Sequence, residues 1–181
     1  MPSSERSSTT LALGILLLGT LARLVPHPPN VTPVTALGLF AGAVLWSTRW
    51  TAALPLAMVV LSDLVIGVHE VVPFTWGSFL LIGWLGSWLR RDTTAGRIVL
   101  ASVAGSVLFF LVTNFGVWLV GEHGTMYPKT WAGFVSCFTA ALPFFRNTLI
   151  GDLCFTMVLF GIYRLMTRQV VPDTGGPRSP A

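Results

Sequence analysis

The stretch IVLASVAGSVLFFLVTNFGVWLV, residues 98–120, decides the fold. It carries no charged side chain. Crossing the ~30 Å hydrocarbon core of a bilayer takes about 20 mainly apolar residues as a helix. In lipid the backbone must satisfy its own hydrogen bonds, and a helix does so. Ile98 to Val120 therefore reads as a membrane-spanning helix, with one strongly polar side chain, the amide of Asn114, set within it.

Similar runs lie on both sides. Toward the N-terminus they cover Thr10 to Val25, Pro33 to Trp46, Trp50 to Val68 and Val71 to Leu89. Toward the C-terminus, Trp131 to Met166 is too long for one simple span. Proline breaks the helical hydrogen-bond ladder, so Pro143 is expected to divide this run. A surface or re-entrant helix (Trp131 to Leu142) would then precede a final span (Phe144 to Met166). The expected fold is an all-α integral membrane bundle of six helices, over residues 10–168. Residues 1–9, rich in serine, and 169–181, rich in Pro and Gly, read as disordered. Thr20-Leu21-Ala22 is a poor cleavage site, so the first run reads as a helix rather than a signal peptide.

Composition agrees. Of 181 residues, 53% are hydrophobic and only 10% charged, against roughly a quarter charged in soluble domains. Mean hydropathy is +0.74. The net charge of +4 does not point to nucleic acid, because the arginines fall in short loops between apolar runs. Arg6, Arg49, Arg90, Arg91, Arg97, Arg164, Arg168 and Arg178 all lie on one side of a six-span arrangement. The positive-inside rule places that side, and both termini, in the cytoplasm. Cys137 and Cys154 show neither metal-motif nor disulfide spacing and read as small packing residues.

Ionisable groups in a bilayer cost several kcal/mol and often mark function. Here they are Asp63, Arg146 and Asp152, joined by Asn114 and Asn147, with Arg23, His27 and Asn30 at a nearby helix end. At 1.5 Å per residue, Asp63 lies roughly 7–8 Å below the outer end of its helix. Arg146 and Asn147 fall in the first turn of the last span, and Asp152 ~9 Å deeper than Arg146. The polar groups thus gather in the outer third. Arg146 and Asp152, six residues apart, face different ways on one helix. Arg146 is instead expected to pair with Asp63, either as a structural lock or as part of a ligand pocket.

Weaker features surround this cluster. Phe74 and Trp76, just after Pro73, are candidates to stack on a flat ligand. Tyr127 is a candidate for a lid. Gly38 and Gly42 have the spacing that permits close helix packing. His69 and His123 read as solvated loop residues. The sequence contains no G-x-S-x-G, H-E-x-x-H, P-loop or dinucleotide fingerprint. An enzyme is therefore not expected, and the chain cannot itself hydrolyse ATP.

Four stretches carry a resemblance: Arg23-Leu-Val-Pro-His-Pro-Pro-Asn30, Ser62-Asp63-Leu64, Thr113-Asn-Phe-Gly-Val-Trp118 and Pro143-Phe-Phe-Arg-Asn-Thr-Leu-Ile-Gly-Asp152. Together they resemble a family of small bacterial membrane proteins related to the substrate-binding S-components of energy-coupling-factor (ECF) vitamin transporters. The likeness covers most of Leu11 to Tyr163 and is strongest to the solitary cobalamin S-components. It implies a six-helix fold with an outward-facing vitamin pocket, and a His, an Asp and an Arg that His27, Asp63 and Arg146 match in order. It also implies a cobalt-binding cysteine at the outer start of helix four, where this chain has Trp76. Cobalt–thiolate chemistry is thus not expected, and His27 is left as a weak candidate cobalt ligand.

The expected function is uptake of a vitamin, with cobalamin or a related corrinoid leading as transported substrate and no permanently bound cofactor. The alternatives are a smaller vitamin or precursor, or a structural membrane protein without ligand. Ala12, Gly14, Gly19 and Ala22 of the first helix form no small-residue pair at four-residue spacing. The resemblance associates such pairs with docking an ECF energising module, so solitary action is favoured.

Overall fold

A computed structural model describes residues 3–26, 30–45 and 50–168, with side chains for 9–26, 30–45 and 53–166. The described residues are all-helical: α1 (Ser3–Leu24), α2 (Val34–Val44), α3 (Trp50–Ile66), α4 (Val72–Ser87), α5 (Ala95–Gly124) and α6 (Trp131–Arg168). A short 3-10 turn, Trp88–Arg91, follows α4. α1 starts at Ser3, ahead of the expected Thr10. The tail at 169–181 lies outside the described residues.

α2 is the central post. It packs against all five other helices, and every side chain from Val34 to Ala43 is buried. A helix apolar on all sides belongs inside a core. Its 11 residues rise only ~16 Å, so its neighbours, not its length, keep it out of water.

Small residues let α4 approach it. A Cβ added at Gly42 would stand 2.2 Å from the Gly83 carbonyl oxygen, and one at Gly86 would stand 2.4 Å from that of Leu39. The two backbones therefore touch. Of the expected glycine pair, Gly42 makes this contact, while Gly38 faces the side chains of Ile82 and Pro55.

Among the described residues, three apolar segments are long enough to cross a membrane: Val72–Arg91, Ala95–Gly124 and Trp131–Met166. Shorter apolar helices cover Thr9–Leu24, Val34–Val44 and Ala53–Ile66. Large apolar side chains such as Leu17, Leu64, Val65, Leu100 and Leu165 are exposed on the outside of the bundle. A soluble surface rarely shows so much apolar area. These are the helices of a membrane protein.

One expected break is absent. α6 runs without interruption from Trp131 to Arg168, with Pro143 inside it. Proline removes one rung from a long ladder, and apolar helices tolerate that loss when neighbours and small local adjustments compensate. α6 packs along α5, which holds both halves in line.

The far end of α5 turns sharply. Gly121, Glu122 and His123 leave helical geometry, and Glu122 and His123 take positive φ. His123 is exposed, as expected of a solvated residue, but it also has a partner. Its backbone N–H donates to Glu70 Oε2 at 2.9 Å, and its Nδ1 lies 2.5 Å from Glu70 Oε1. The loop before α4 is thereby tied to the kinked C-terminal end of α5, at one end of the bundle.

Candidate functional site

Asp63 is the starting point, because a carboxylate with 2% exposure needs partners. It has two. Arg23, in the last turn of α1, places Nη2 2.5 Å from Asp63 Oδ1. Trp76, near the start of α4, donates its indole N–H to Asp63 Oδ2 at 2.9 Å. One acid thus joins α1, α3 and α4.

Arg146 is therefore not the partner of Asp63. It is exposed on α6 and makes no ion pair among the described residues. α1 packs directly against α3, whereas α6 makes no contact with α3 among the described residues. Proximity gives the acid to Arg23.

Beside this triad a cleft enters the bundle at the end where Glu70 and His123 meet. Its inner lobe, about 200 Å³, is lined by Thr32, Thr35, Phe79 and Asp152 among others. Its outer lobe, about 520 Å³, is lined by His69, Thr113, Asn114, Phe144 and Phe145 among others. Arg23, Asn30, Phe109 and Thr148 line both, which makes them two parts of one cleft. Small-molecule sites usually enclose roughly 300–1,000 Å³ and set a few polar groups among apolar walls. This cleft has that character.

Its polar groups are mostly committed to protein partners. Asn114 donates its side-chain amide to the Phe110 carbonyl at 2.8 Å. Thr113 and Thr148 bond back to carbonyls one turn earlier, as hydroxyls in helices do. Asp152, at 2% exposure, accepts from Ser106 Oγ at 2.7 Å. One donor stands apart: Arg23 Nε is buried and has no hydrogen-bond partner among the described residues. Among those residues no three His, Cys, Asp or Glu side chains gather at metal-binding distance.

The expected site residues divide accordingly. Asn30, Asn114 and Asp152 line the cleft, and Asp63 stands behind it through Arg23. Phe74 lies outside both lobes; its ring meets Phe115 at 6.2 Å, and a Cβ on Gly116 would clash with it at 2.5 Å. It is an α4–α5 packing residue. Trp76 is likewise absent from the lining, with its N–H spent on Asp63. Tyr127 and Asn147 are half-buried and line neither lobe, nor does Arg146. Asn147 has an interaction of its own elsewhere. His27 lies outside the described residues. Of the cysteines, Cys137 is buried and donates to the Asn114 carbonyl at 3.4 Å, whereas Cys154 is exposed on the outside of α6.

Sequence reasoning missed Arg23 as the partner of Asp63, and missed Thr32, Thr35, Phe109 and Thr148. A signal existed for some of these. Thr148, Asp152 and Thr156 repeat every four residues on α6, and Ser102 and Ser106 do so on α5. Such spacing aligns side chains on one helix face.

The chain belongs to a family of unknown function, DUF6580, which it matches over residues 3–175. No curated protein and no solved structure matches it.

Proposed function

We propose that this member of a family of unknown function is a membrane solute-binding protein that captures a vitamin-sized molecule in the cleft for uptake. The observation that carries this reading is the cleft itself. Two lobes share Arg23, Asn30, Phe109 and Thr148, and a buried guanidinium N–H beside them lacks a partner. A buried donor without an acceptor costs about 1–3 kcal/mol. A ligand that brings an acceptor removes that cost.

We read the chain as a six-helix membrane bundle in the manner of an ECF S-component, with the short α2 held inside by its neighbours, both termini cytoplasmic and the cleft facing outward. The one-sided arginines support this orientation. The neutral Arg23–Asp63 pair would shape the cleft wall and keep its charge balanced. Phe109 and the Phe144–Phe145 pair would cover the apolar part of a ligand. The sequence contains no P-loop, so the energy for import comes from a gradient or from an energising partner, and solitary action remains the favoured reading.

Cobalamin or a related corrinoid leads as substrate, on the sequence resemblance at His27, Asp63 and the Pro143–Asp152 stretch. A corrinoid here would not meet a thiolate, because Trp76 occupies that place and bonds Asp63. The small inner lobe favours a second reading, a smaller vitamin or precursor. Growth rescue of vitamin-uptake mutants with a panel of vitamins separates the two. Rescue by a corrinoid supports the first reading and rescue by a smaller vitamin the second. No rescue on any vitamin counts against uptake and favours a structural membrane role.

A further inference from the structure

A buried polar track leads from the cleft into the bundle between α5 and α6. Asp152 is 2% exposed, and Ser106, Ser102 and Thr156 are fully buried. Ser106 Oγ stands 2.7 Å from Asp152 Oδ2 and 3.1 Å from the Ser102 carbonyl oxygen. Ser102 Oγ donates to Thr156 Oγ1 at 3.3 Å. Thr35 of α2 hydrogen-bonds the same Asp152 carboxyl and, like it, lines the inner lobe.

A hydroxyl has one proton to give, yet Ser106 lies within reach of two acceptors. With Asp152 ionised, Ser106 donates to the carboxylate, and the Ser102 carbonyl keeps its helical partner. With Asp152 protonated, the acid donates to Ser106 Oγ, and Ser106 turns to donate to Ser102. Each protonation state leaves the track hydrogen-bonded.

The charges around Asp152 do not fix it in one state. Arg23 lines the same lobe but is paired with Asp63. α2 carries no ionisable side chain, and those of α5 (Arg97, Glu122 and His123) lie toward its two ends. On α6 the nearest charge in sequence, Arg146, is exposed. A permanent carboxylate would thus stand in the bundle without a cation, which is costly. We propose that Asp152 is a proton-binding site that opens on the cleft. A proton from the inner lobe adds to a carboxylate oxygen to form the neutral acid, and leaves by the same route. Resting on the uptake reading, this gives a chain without a P-loop a means of coupling solute capture to a proton gradient.

The test is infrared spectroscopy of the full-length protein in lipid vesicles, with the proton as the only probe. The carbonyl band of a buried carboxylic acid is expected to grow as pH falls and to vanish reversibly as it rises. Asp152→Asn is expected to lose the band. Ser106→Ala, a small change that preserves the helix, is expected to move it to higher wavenumber, because the acid loses its acceptor. Ser106→Ala alone decides the matter if Asp152→Asn does not fold. A band constant at every pH, a band absent at every pH, or one that both variants leave unchanged overturns the proposal. No solute is added, so failure here leaves solute uptake standing, and failure of the vitamin panel leaves the proton site standing.

Discussion

Arg23 and Asp63, forty positions apart in sequence, meet at 2.5 Å between α1 and α3. The carboxylate is almost fully buried and the guanidinium is 18% exposed. Removing one member of a buried pair strands the other, at a cost of about 3–5 kcal/mol. Arg23→Ala should therefore destabilise the detergent-solubilised protein by that order. Arg146→Ala, on an exposed side chain, should stay within roughly 0.5 kcal/mol. Denaturant unfolding of the two variants checks this. Equal losses would return Arg146 to the role of partner.

Trp76 gives a finer probe of the same acid. Trp76→Phe keeps a ring against the core and removes only the N–H that reaches Asp63 Oδ2. An acceptor left unsatisfied in a buried site costs about 1–3 kcal/mol. A variant as stable as the parent would mean that the indole bond is dispensable.

The α2–α4 contact predicts opposite effects from one type of substitution. Gly42→Ala would force a Cβ against the Gly83 carbonyl at 2.2 Å, where backbone must move. Overpacking of this kind typically costs about 1–3 kcal/mol. Gly77→Ala, also helical, meets nothing within 4 Å and should be neutral or stabilising by up to about 1 kcal/mol. Thermal unfolding of both variants checks the contrast.

Orientation has its own test. Reporter fusions after Arg91 and after Arg168 should report the cytoplasm, and an insertion at Glu122 should report the opposite side. Arg91 and Glu122 reporting the same compartment would remove α5 as a span.

Much of the site was legible as depth. Residue counts along apolar runs placed Asn30, Asn114 and Asp152 toward one end of the bundle, and the cleft brings these three together. Direction around each helix was not legible. Arg23 and Arg146 offer the same charge, and only the packing of α1 on α3 decides between them. Phe74 and Trp76 do not line the cleft, for a related reason. The sequence shows that an aromatic stands near an opening, but not that Gly116 leaves a seat for the Phe74 ring or that Asp63 claims the Trp76 N–H. Pro143 misled because the rule against proline in helices is strongest where water competes for the freed carbonyl. The serine and threonine repeats of α5 and α6 were readable in principle, since they keep four-residue spacing within apolar helices.

The most direct test of a solute-binding cleft is titration of purified full-length protein with corrinoids and smaller vitamins, followed by calorimetry. Parent protein is compared with Thr148→Trp, which fills the part of the cleft common to both lobes. The expected result is saturable binding of one class of vitamin by the parent, lost in Thr148→Trp while the variant stays folded. Binding that survives the plugged cleft, or no binding by the parent to any member of the panel, would contradict it.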